Sequence, residues 1–319
     1  MENAIRALGH ELIKFEDRDH VFPGRLRNKV KFFYNLDLKI INKNLLSLAV
    51  EKNPDIVIIS GGNRIRANTI RKLKENGIIT VLWTTDPPIL FKPILETAGS
   101  YDYVFCQGTE AVEILAGAGI KYAKWLPMAC DPQLHRPIEL SDEDRANFGR
   151  DVAFVGSYYA NRWNVLRKLS EFNLGIWGPG WSKIDIDPDF SGSVTDTKLE
   201  YKIWQKIFCA AKIVIVIHYQ DGVTPCYQIS PKVFEALACK GFVLIDQQRD
   251  VFKLFKNGTH LVSFEDTEDL KNKIRYYLIN QKQRATIAQN GFGEVKSRNT
   301  YVDRLKTLFN ELKMDGPQA

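Results

Sequence analysis

The chain has 319 residues, of which 45% are hydrophobic and 26% charged, and carries a net charge of +6. That length exceeds one small core and points to two globular domains, and the mild basicity suits phosphate-bearing ligands while falling short of a nucleic-acid binder. Five scattered cysteines without a C-x-x-C pair argue against a disulfide framework and fit a reducing cytoplasm, "MENAIRALGHELIKF" is too charged for a signal peptide, and no apolar run reaches membrane-span length.

The first part alternates helix and strand. Residues 4–10 read as a helix ending near Gly9, 11–17 (ELIKFED) as a strand, and 26–52 as a long basic helical stretch. Then follow a strand at 55–60, a helix at 67–77 with a glycine stop, a strand at 79–85, a short helix after Pro93, a strand at 101–108, a helix at 109–119 and a strand at 121–127. Short apolar strands alternating with helices predict a parallel sheet covered on both faces. A domain of this kind normally opens with a strand, whereas this chain opens with a helix, so a first strand is expected to be missing or replaced. Residues 129–150 hold two prolines, many charges and no periodicity, and read as a linker.

The pattern then restarts. Strands are expected at 151–157, 174–180, 212–219, 242–245 and 260–266, with helices at 161–171, 201–211 and 231–240 and a helical run to the end. The organisation predicted is an N-terminal Rossmann-like domain (1–128), the linker (129–150), a second Rossmann-like domain (151–298) and a closing helical segment (299–319). In doubly wound α/β sheets, ligands sit at the carboxyl ends of strands, beside helix N-termini.

The chemistry concentrates in the second half. Ser230 is a good N-cap and Pro231 fits the first helical position, so free N–H groups and the positive dipole end should make an anion site there. Lys232 adds a mobile cation, and Glu235, one turn on, can accept the two hydroxyls of a ribose; an ordinary capped helix with a surface glutamate is the competing reading. Gly156 and Ser157 end a strand, and Arg162 follows near a helix start, where it can hold a phosphate bidentately. Gly178 and Gly180 form another strand-end turn, where Trp177 or Trp181 could cover a flat base, although a Pro-Gly turn can also be simply a turn. His218 ends a strand and either touches the same ligand or is a satisfied structural histidine. No histidine spacing or strand-end D-x-D suggests a metal site, so no metal or cofactor is expected.

At this point the second half resembles the CgeB-like glycosyltransferases of the GT-B fold. The resemblance lies in "WLPMACDPQLHRP", "DVAFVGSYYANRW", "IWGPGW", "SPKVFEALACKGFVLID", "GTHLVSFEDTEDLKNKIRYYLINQKQRATIAQNG" and "NTYVDRL", in that order, over residues 125–309, with a looser match in the first half. It implies an α/β fold of two Rossmann-like domains facing a cleft, and a cytoplasmic enzyme that moves a sugar from a nucleotide diphosphate sugar to a carbohydrate or glycoconjugate acceptor, in surface or spore polysaccharide work. It implies that Glu235 binds the ribose, that Ser230, Pro231 and Lys232 line the diphosphate, that Gly156, Ser157 and Arg162 face the phosphates, and that Gly178 lies near the base. The closing helix would cross back to the first domain. Many retaining members carry a second glutamate eight positions earlier; Tyr227 stands there instead, which leaves sugar and stereochemistry open.

The first half should serve the acceptor. Asp86, in "WTTDPP" at a strand end, is the candidate catalytic base, although Asp before Pro also simply starts turns. Gly61, Gly62 and Asn63 form a strand-end turn placed on the acceptor side, which can approach the donor or the acceptor or be merely a tight turn. The basic, aromatic stretch at 24–43 can rest peripherally on an anionic membrane or be a solvated face. Two other readings stand beside transfer: a non-catalytic nucleotide-sugar-binding protein, and a GT-B epimerase acting without an acceptor.

Overall fold

The computed structural model describes residues 1–27, 29–85, 92–190 and 192–312. Two compact units emerge, one made of Met1–His10 with Met128–Ala319 and the other of Glu11–Pro127.

The chain starts with α1 (Glu2–Ala7), which packs on the last helix, and the His10 ring lies 4.6 Å from that of Phe309. This first segment therefore groups with the later residues and not with the domain next to it in sequence. In the Glu11–Pro127 unit come α2 (Gly24–Arg27), α3 (Lys31–Lys52), β1 (Ile56–Ser60), α4 (Ala67–Glu75), β2 (Ile79–Thr84), α5 (Lys92–Thr97), β3 (Tyr103–Cys106), α6 (Thr109–Gly117) and β4 (Lys124–Trp125). Its sheet has the order β1-β2-β3-β4, all parallel. The strands are short apolar runs because their side chains feed one core, in which Ile41 and Leu45 of α3, Ile70 and Leu73 of α4 and Leu115 of α6 meet Leu82 and Val104.

The expected strand at 11–17 does not form. Among the described residues no strand precedes β1, and Phe15 packs against the core without joining the sheet. Alternating apolar residues license a strand, but a strand needs a free edge of matching register.

The other unit continues with α7 (Asp142–Phe148), β5 (Val152–Val155), α8 (Ala160–Leu166), β6 (Leu174–Gly178), β7 (Val194–Asp196), α9 (Tyr201–Ala210), β8 (Ile213–Val216), α10 (Pro231–Ala238), β9 (Val243–Asp246), α11 (Val251–Leu254), β10 (Val262–Phe264), α12 (Thr267–Ile279), α13 (Gln281–Arg298) and α14 (Tyr301–Glu311). Its six parallel strands run β10-β9-β8-β5-β6-β7. β5, β6 and β7 build the sheet one way and β8, β9 and β10 the other, so the order reverses between β5 and β8. A crevice at the carboxyl ends of the strands is expected there.

The stretch read as a linker contains α7, started by a capping box in which Ser141 accepts from the Asp144 N–H and the Asp144 carboxylate accepts from the Ser141 N–H. α10 ends before Gly241: Lys240 takes the left-handed conformation, φ 61°, and the Gly241 N–H returns to the Ala236 carbonyl at 2.9 Å.

Candidate functional site

A cavity of about 420 Å³ opens at the reversal point. The ends of β5 and β8 supply Phe154 to Ser157 with Val216 and Ile217, β6 supplies Gly178, and α10 supplies Ser230, Pro231 and Lys232. Tyr159, Arg162, Pro179, Lys198, Leu199 and Trp204 complete the wall.

The β5 and β6 turns approach so closely that side chains are excluded. Gly178 sits at φ 146°, and a Cβ there would collide with the Gly156 carbonyl oxygen. The Gly156 N–H donates to the Trp177 carbonyl at 2.9 Å, and the Gly156 carbonyl accepts from the Trp181 indole at 3.0 Å. The Tyr158 N–H donates to the Pro179 carbonyl, which leaves the Ser157 N–H, between two committed neighbours, without a partner among the described residues. Trp177 and Trp181 are buried, Trp181 completely, and Trp181 packs edge-on against Phe154, Tyr158 and Trp163. Neither tryptophan is free to cover a base as the sequence suggested: Trp177 is buried, and Trp181 is the floor beneath the turn. On the cavity wall Tyr159 is the exposed aromatic, and its ring centroid lies 4.9 Å from that of the half-buried Tyr219.

Arg162 is fixed before any ligand arrives. Its Nε donates to the Ile217 carbonyl at 2.8 Å and its Nη1 to the Ser157 carbonyl at 2.9 Å, and its guanidinium lies over the Tyr159 ring, 4.7 Å from the centroid. Burial lowers its pKa from the usual arginine value, with Tyr159 and Asp246 opposing the shift. Two carbonyl contacts spend two of five donors, so the remaining fork is preorganised for an anion.

α10 begins differently from expectation. The Lys232 N–H donates to Ser230 Oγ at 3.3 Å, the Val233 N–H to the Ser230 carbonyl at 3.0 Å, and the Ser230 N–H to His218 Nε2 at 3.0 Å. The first-turn N–H groups are thus committed, and the helix offers its dipole and the Ser230 hydroxyl in place of bare donors. His218 is buried and does not line the cavity. Because its Nε2 accepts from Ser230, its proton is on Nδ1, 2.6 Å from Asp246 Oδ1 at the end of β9. The His218 N–H donates to the other Asp246 oxygen and its carbonyl accepts from Asn161. This histidine therefore ties three strand and helix ends together and sets where α10 starts.

Lys232 is held as well. Its Nζ lies 2.8 Å from Glu235 Oε2 and 3.5 Å from the centroid of the Trp204 ring. Glu235 stands behind the lysine, buried and outside the lining. Of the sequence-predicted residues, then, Gly156, Ser157, Arg162, Gly178, Ser230, Pro231 and Lys232 meet in one cavity, with Glu235 and His218 directly behind. Lys198, Leu199 and Trp204 join them from outside the quoted motifs, and Tyr159 from within "DVAFVGSYYANRW", where the sequence marks no role for it. Trp204 carries a weak signal, as a tryptophan within the amphipathic segment "YKIWQKIF" whose aliphatic positions are enough to face a core.

The residues expected on the acceptor side lie in the other unit. Gly61 and Gly62, at φ 94° and 95°, turn the chain after β1, and Asn63 follows. Asn42 of α3 holds the next segment, donating to the Leu38 and Arg64 carbonyls and accepting from the Arg66 N–H and the Thr69 hydroxyl. Asp86, the candidate base, falls outside the described residues. Among the described residues no group of three or more His, Cys, Asp or Glu is placed to hold a metal ion, and no helix is long and apolar enough to cross a membrane.

Comparison with solved structures places this architecture. HepE from Anabaena, in its crystal structure with UDP-glucose, superposes with a TM-score of 0.65 at 13% identity, over 86% of this chain and 82% of that one. Sucrose-phosphate synthase from Thermosynechococcus elongatus gives 0.63 at 11% identity, over 87% and 78%. A glycosyltransferase from Rickettsia africae gives 0.58 at 13%, over 85% and 79%. The fold is GT-B. Residues 162–310 of this GT-B chain also match the model of a family described as glycosyl transferase-like. That segment begins at Arg162 and carries Trp204, Ser230, Lys232 and Glu235. Among curated proteins, none matches the sequence of the chain.

Proposed function

We propose that the protein is a glycosyltransferase that moves a sugar from a nucleotide diphosphate sugar to an acceptor hydroxyl. One observation carries this reading: the cavity at the strand-order reversal brings the Ser157 N–H, the Arg162 guanidinium, Lys232 and the start of α10 to one place. Positive features converging on a strand-end crevice suit a diphosphate. The complexes of HepE with UDP-glucose and of an α-glucosyltransferase with UDP-glucose support the choice of donor class. In this reading Gly156, Ser157, Arg162, Ser230, Pro231 and Lys232 take the phosphates, Glu235 the ribose, and Tyr159 with Tyr219 offers flat surfaces for the base near Gly178. The developing negative charge on the leaving diphosphate is met by the α10 dipole, Lys232 and Arg162, so transfer needs no metal and survives EDTA. Asp86 takes the proton from the acceptor hydroxyl, and Gly61, Gly62 and Asn63 serve the acceptor. The CgeB-like membership, the hexosyl donor, the polysaccharide role and the cytoplasmic location belong to the same proposal.

A thermal-shift panel of nucleoside diphosphates and their sugars tests it. A ligand that binds only the folded state raises the melting temperature by mass action. One diphosphonucleoside should stand out and lose its effect in Glu235→Ala. No shift in a folded protein sinks the donor assignment; binding without turnover on any hydroxyl acceptor leaves a nucleotide-sugar-binding protein.

The Glu11–Pro127 unit adds a proposed peripheral contact with an anionic bilayer. Between residues 21 and 50 the basic residues Arg25, Arg27, Lys29, Lys31, Lys39 and Lys43 face a single acid, Asp37, which is buried beneath the Val21 and Phe22 N–H groups. Phe32, 67% exposed, stands among them with Val21, Leu26 and Val30 also exposed. A basic surface with protruding apolar residues is complementary to anionic headgroups. The chain should sediment with phosphatidylglycerol vesicles and not with phosphatidylcholine, and Phe32→Asp should abolish it; equal recovery with both lipids would end the proposal.

A further inference from the structure

Lys232 occupies two environments at once. It lines the cavity, yet its ammonium is already in contact with Glu235 Oε2 at 2.8 Å and with the face of Trp204 at 3.5 Å from the ring centroid. About one tenth of the Glu235 side chain and one fifth of that of Lys232 are exposed. Lys232 is therefore the counter-charge in direct contact with this largely buried carboxylate. The Glu235 charge also acts on His135, Tyr301 and Cys239, and these supply no cation at neutral pH: burial lowers the pKa of the imidazole, and a phenol and a thiol carry no positive charge. The indole face supplies a second, weaker hold from a different helix, α9.

A ligand cannot use both groups while they neutralise each other. A ribose hydroxyl that donates to Glu235 competes with the lysine for the same oxygen, and a phosphate that attracts Lys232 strips Glu235 of its partner. We propose that Trp204 and Glu235 form a resting perch for Lys232, and that the diphosphate of the incoming nucleotide draws the lysine off the carboxylate and so frees Glu235 for the ribose. This rests on the nucleotide reading above. Trp204 is a positioning residue in it. The ring is part of the cavity wall, so the ammonium can leave the carboxylate while keeping the aromatic contact, and the swing is short. The arrangement makes phosphate recognition a condition of ribose recognition. A bare nucleoside finds Glu235 already paired and has nothing to offer the displaced lysine, whereas the nucleotide brings both groups.

Calorimetric titration of the full chain separates the two halves of the exchange. The probes are inorganic pyrophosphate, the nucleosides uridine, guanosine and adenosine, and their diphosphates UDP, GDP and ADP. Glu235→Gln removes the competitor for Lys232, so pyrophosphate should bind about fivefold more tightly, the size of a partly exposed ion pair. The same substitution should weaken the preferred nucleoside diphosphate, whose ribose exchanges a charged acceptor with two oxygens for a neutral amide with one. Opposite signs from one change are the signature, because simple destabilisation moves both probes the same way. Trp204→Leu, checked for an unchanged melting temperature, should weaken pyrophosphate and nucleotide alike and increase their dependence on salt. If Glu235→Gln leaves pyrophosphate affinity unchanged or lower, the lysine is not shared and the perch is wrong. If pyrophosphate shows the gain but no nucleoside diphosphate binds better than pyrophosphate, the nucleotide reading fails while the perch stands. If the wild type binds neither, both fall.

Discussion

Both sheets end strands in paired glycines, but the two turns spend their backbone differently. After β1, Gly61 donates its N–H to the Trp83 carbonyl at 3.0 Å, and the next stretch of chain is held from within by Asn42. After β5 and β6, Gly156 and Gly178 press together, and what is left over faces a cavity: the Ser157 N–H, and an arginine tied by only two of its donors. The same residue type thus serves closure in one sheet and approach in the other. The difference lies in the neighbours of each turn. The first runs into a helix, α4, whose start is already served by Asn42, while the second is flanked by Arg162, which has donors to spare, and by the start of α10, which brings its dipole and the Ser230 hydroxyl.

Substituting the glycines breaks this comparison most sharply. Gly178→Val places a side chain against the Gly156 carbonyl in a left-handed backbone, and should cost about 4 kcal/mol and abolish nucleotide-induced stabilisation. Gly62→Ala meets only the end of the Leu82 side chain, 2.6 Å from a Cδ that can give way, also at a left-handed φ of 95°. It should lower the melting temperature by an amount equivalent to about 1–2 kcal/mol and leave the nucleotide shift intact. Thermal shifts with and without ligand on both variants decide the matter, and equal loss of ligand response would erase the distinction drawn between the turns.

Arg162 sharpens the same contrast at a smaller scale. Arg162→Met keeps the apolar stem over Tyr159 but leaves the Ile217 and Ser157 carbonyls without their donor. Two lost charge-assisted bonds at a partly buried site should cost about 2 kcal/mol in stability and weaken nucleotide binding by about 30-fold. Arg162→Lys should recover little of the affinity, since a point charge cannot bond two carbonyls and a phosphate in one plane. A lysine variant that binds as well as wild type would mean that only charge matters here.

The same physics sets how much of this is legible in the chain. The β5 and α10 signals are legible because each is local: an apolar run ending in Gly-Ser, and Ser-Pro before an amphipathic turn. The convergence of Arg162 with Lys232 is not local, and only the resemblance of a long ordered set of motifs suggests it. Trp204 gives only a weak signal for a related reason. A tryptophan at helical spacing reads as core, and only the tertiary meeting of α9 with α10 turns its face toward an ammonium. Trp177 and Trp181 mislead in the opposite direction: beside a glycine turn they look like ligand contacts, yet both are buried, and Trp181 belongs to the core against the sheet. The capping box at Ser141 lies in plain sight as Ser-x-x-Asp but is masked by the density of charge around it, and residues 11–17 have strand periodicity with no edge to join.

The smallest expected effect concerns the floor behind the site. His135 accepts the Asp131 N–H on Nδ1 at 3.1 Å, so this nitrogen must be unprotonated in the folded protein. Burial pushes the imidazole pKa below its ordinary 6.5, and the nearby Lys232 and the Met1 ammonium push the same way against Glu235 and Asp131. In the unfolded chain the ring takes up its proton first as pH falls, so the unfolded state binds more protons and is favoured. Stability associated with His135 is therefore complete above pH 6.5 and declines as pH drops below it, until the folded imidazole also titrates. Denaturation midpoints measured from pH 7.5 to 5 should fall in the wild type and fall less in His135→Gln, whose amide oxygen can still accept from Asp131. Because His135 also senses Glu235, the Glu235→Gln variant should steepen the decline by removing a charge that favours imidazolium only in the folded state. A slope that ignores both substitutions would place the acid sensitivity elsewhere, and would leave the cavity's rear wall electrostatically independent of the lysine in front of it.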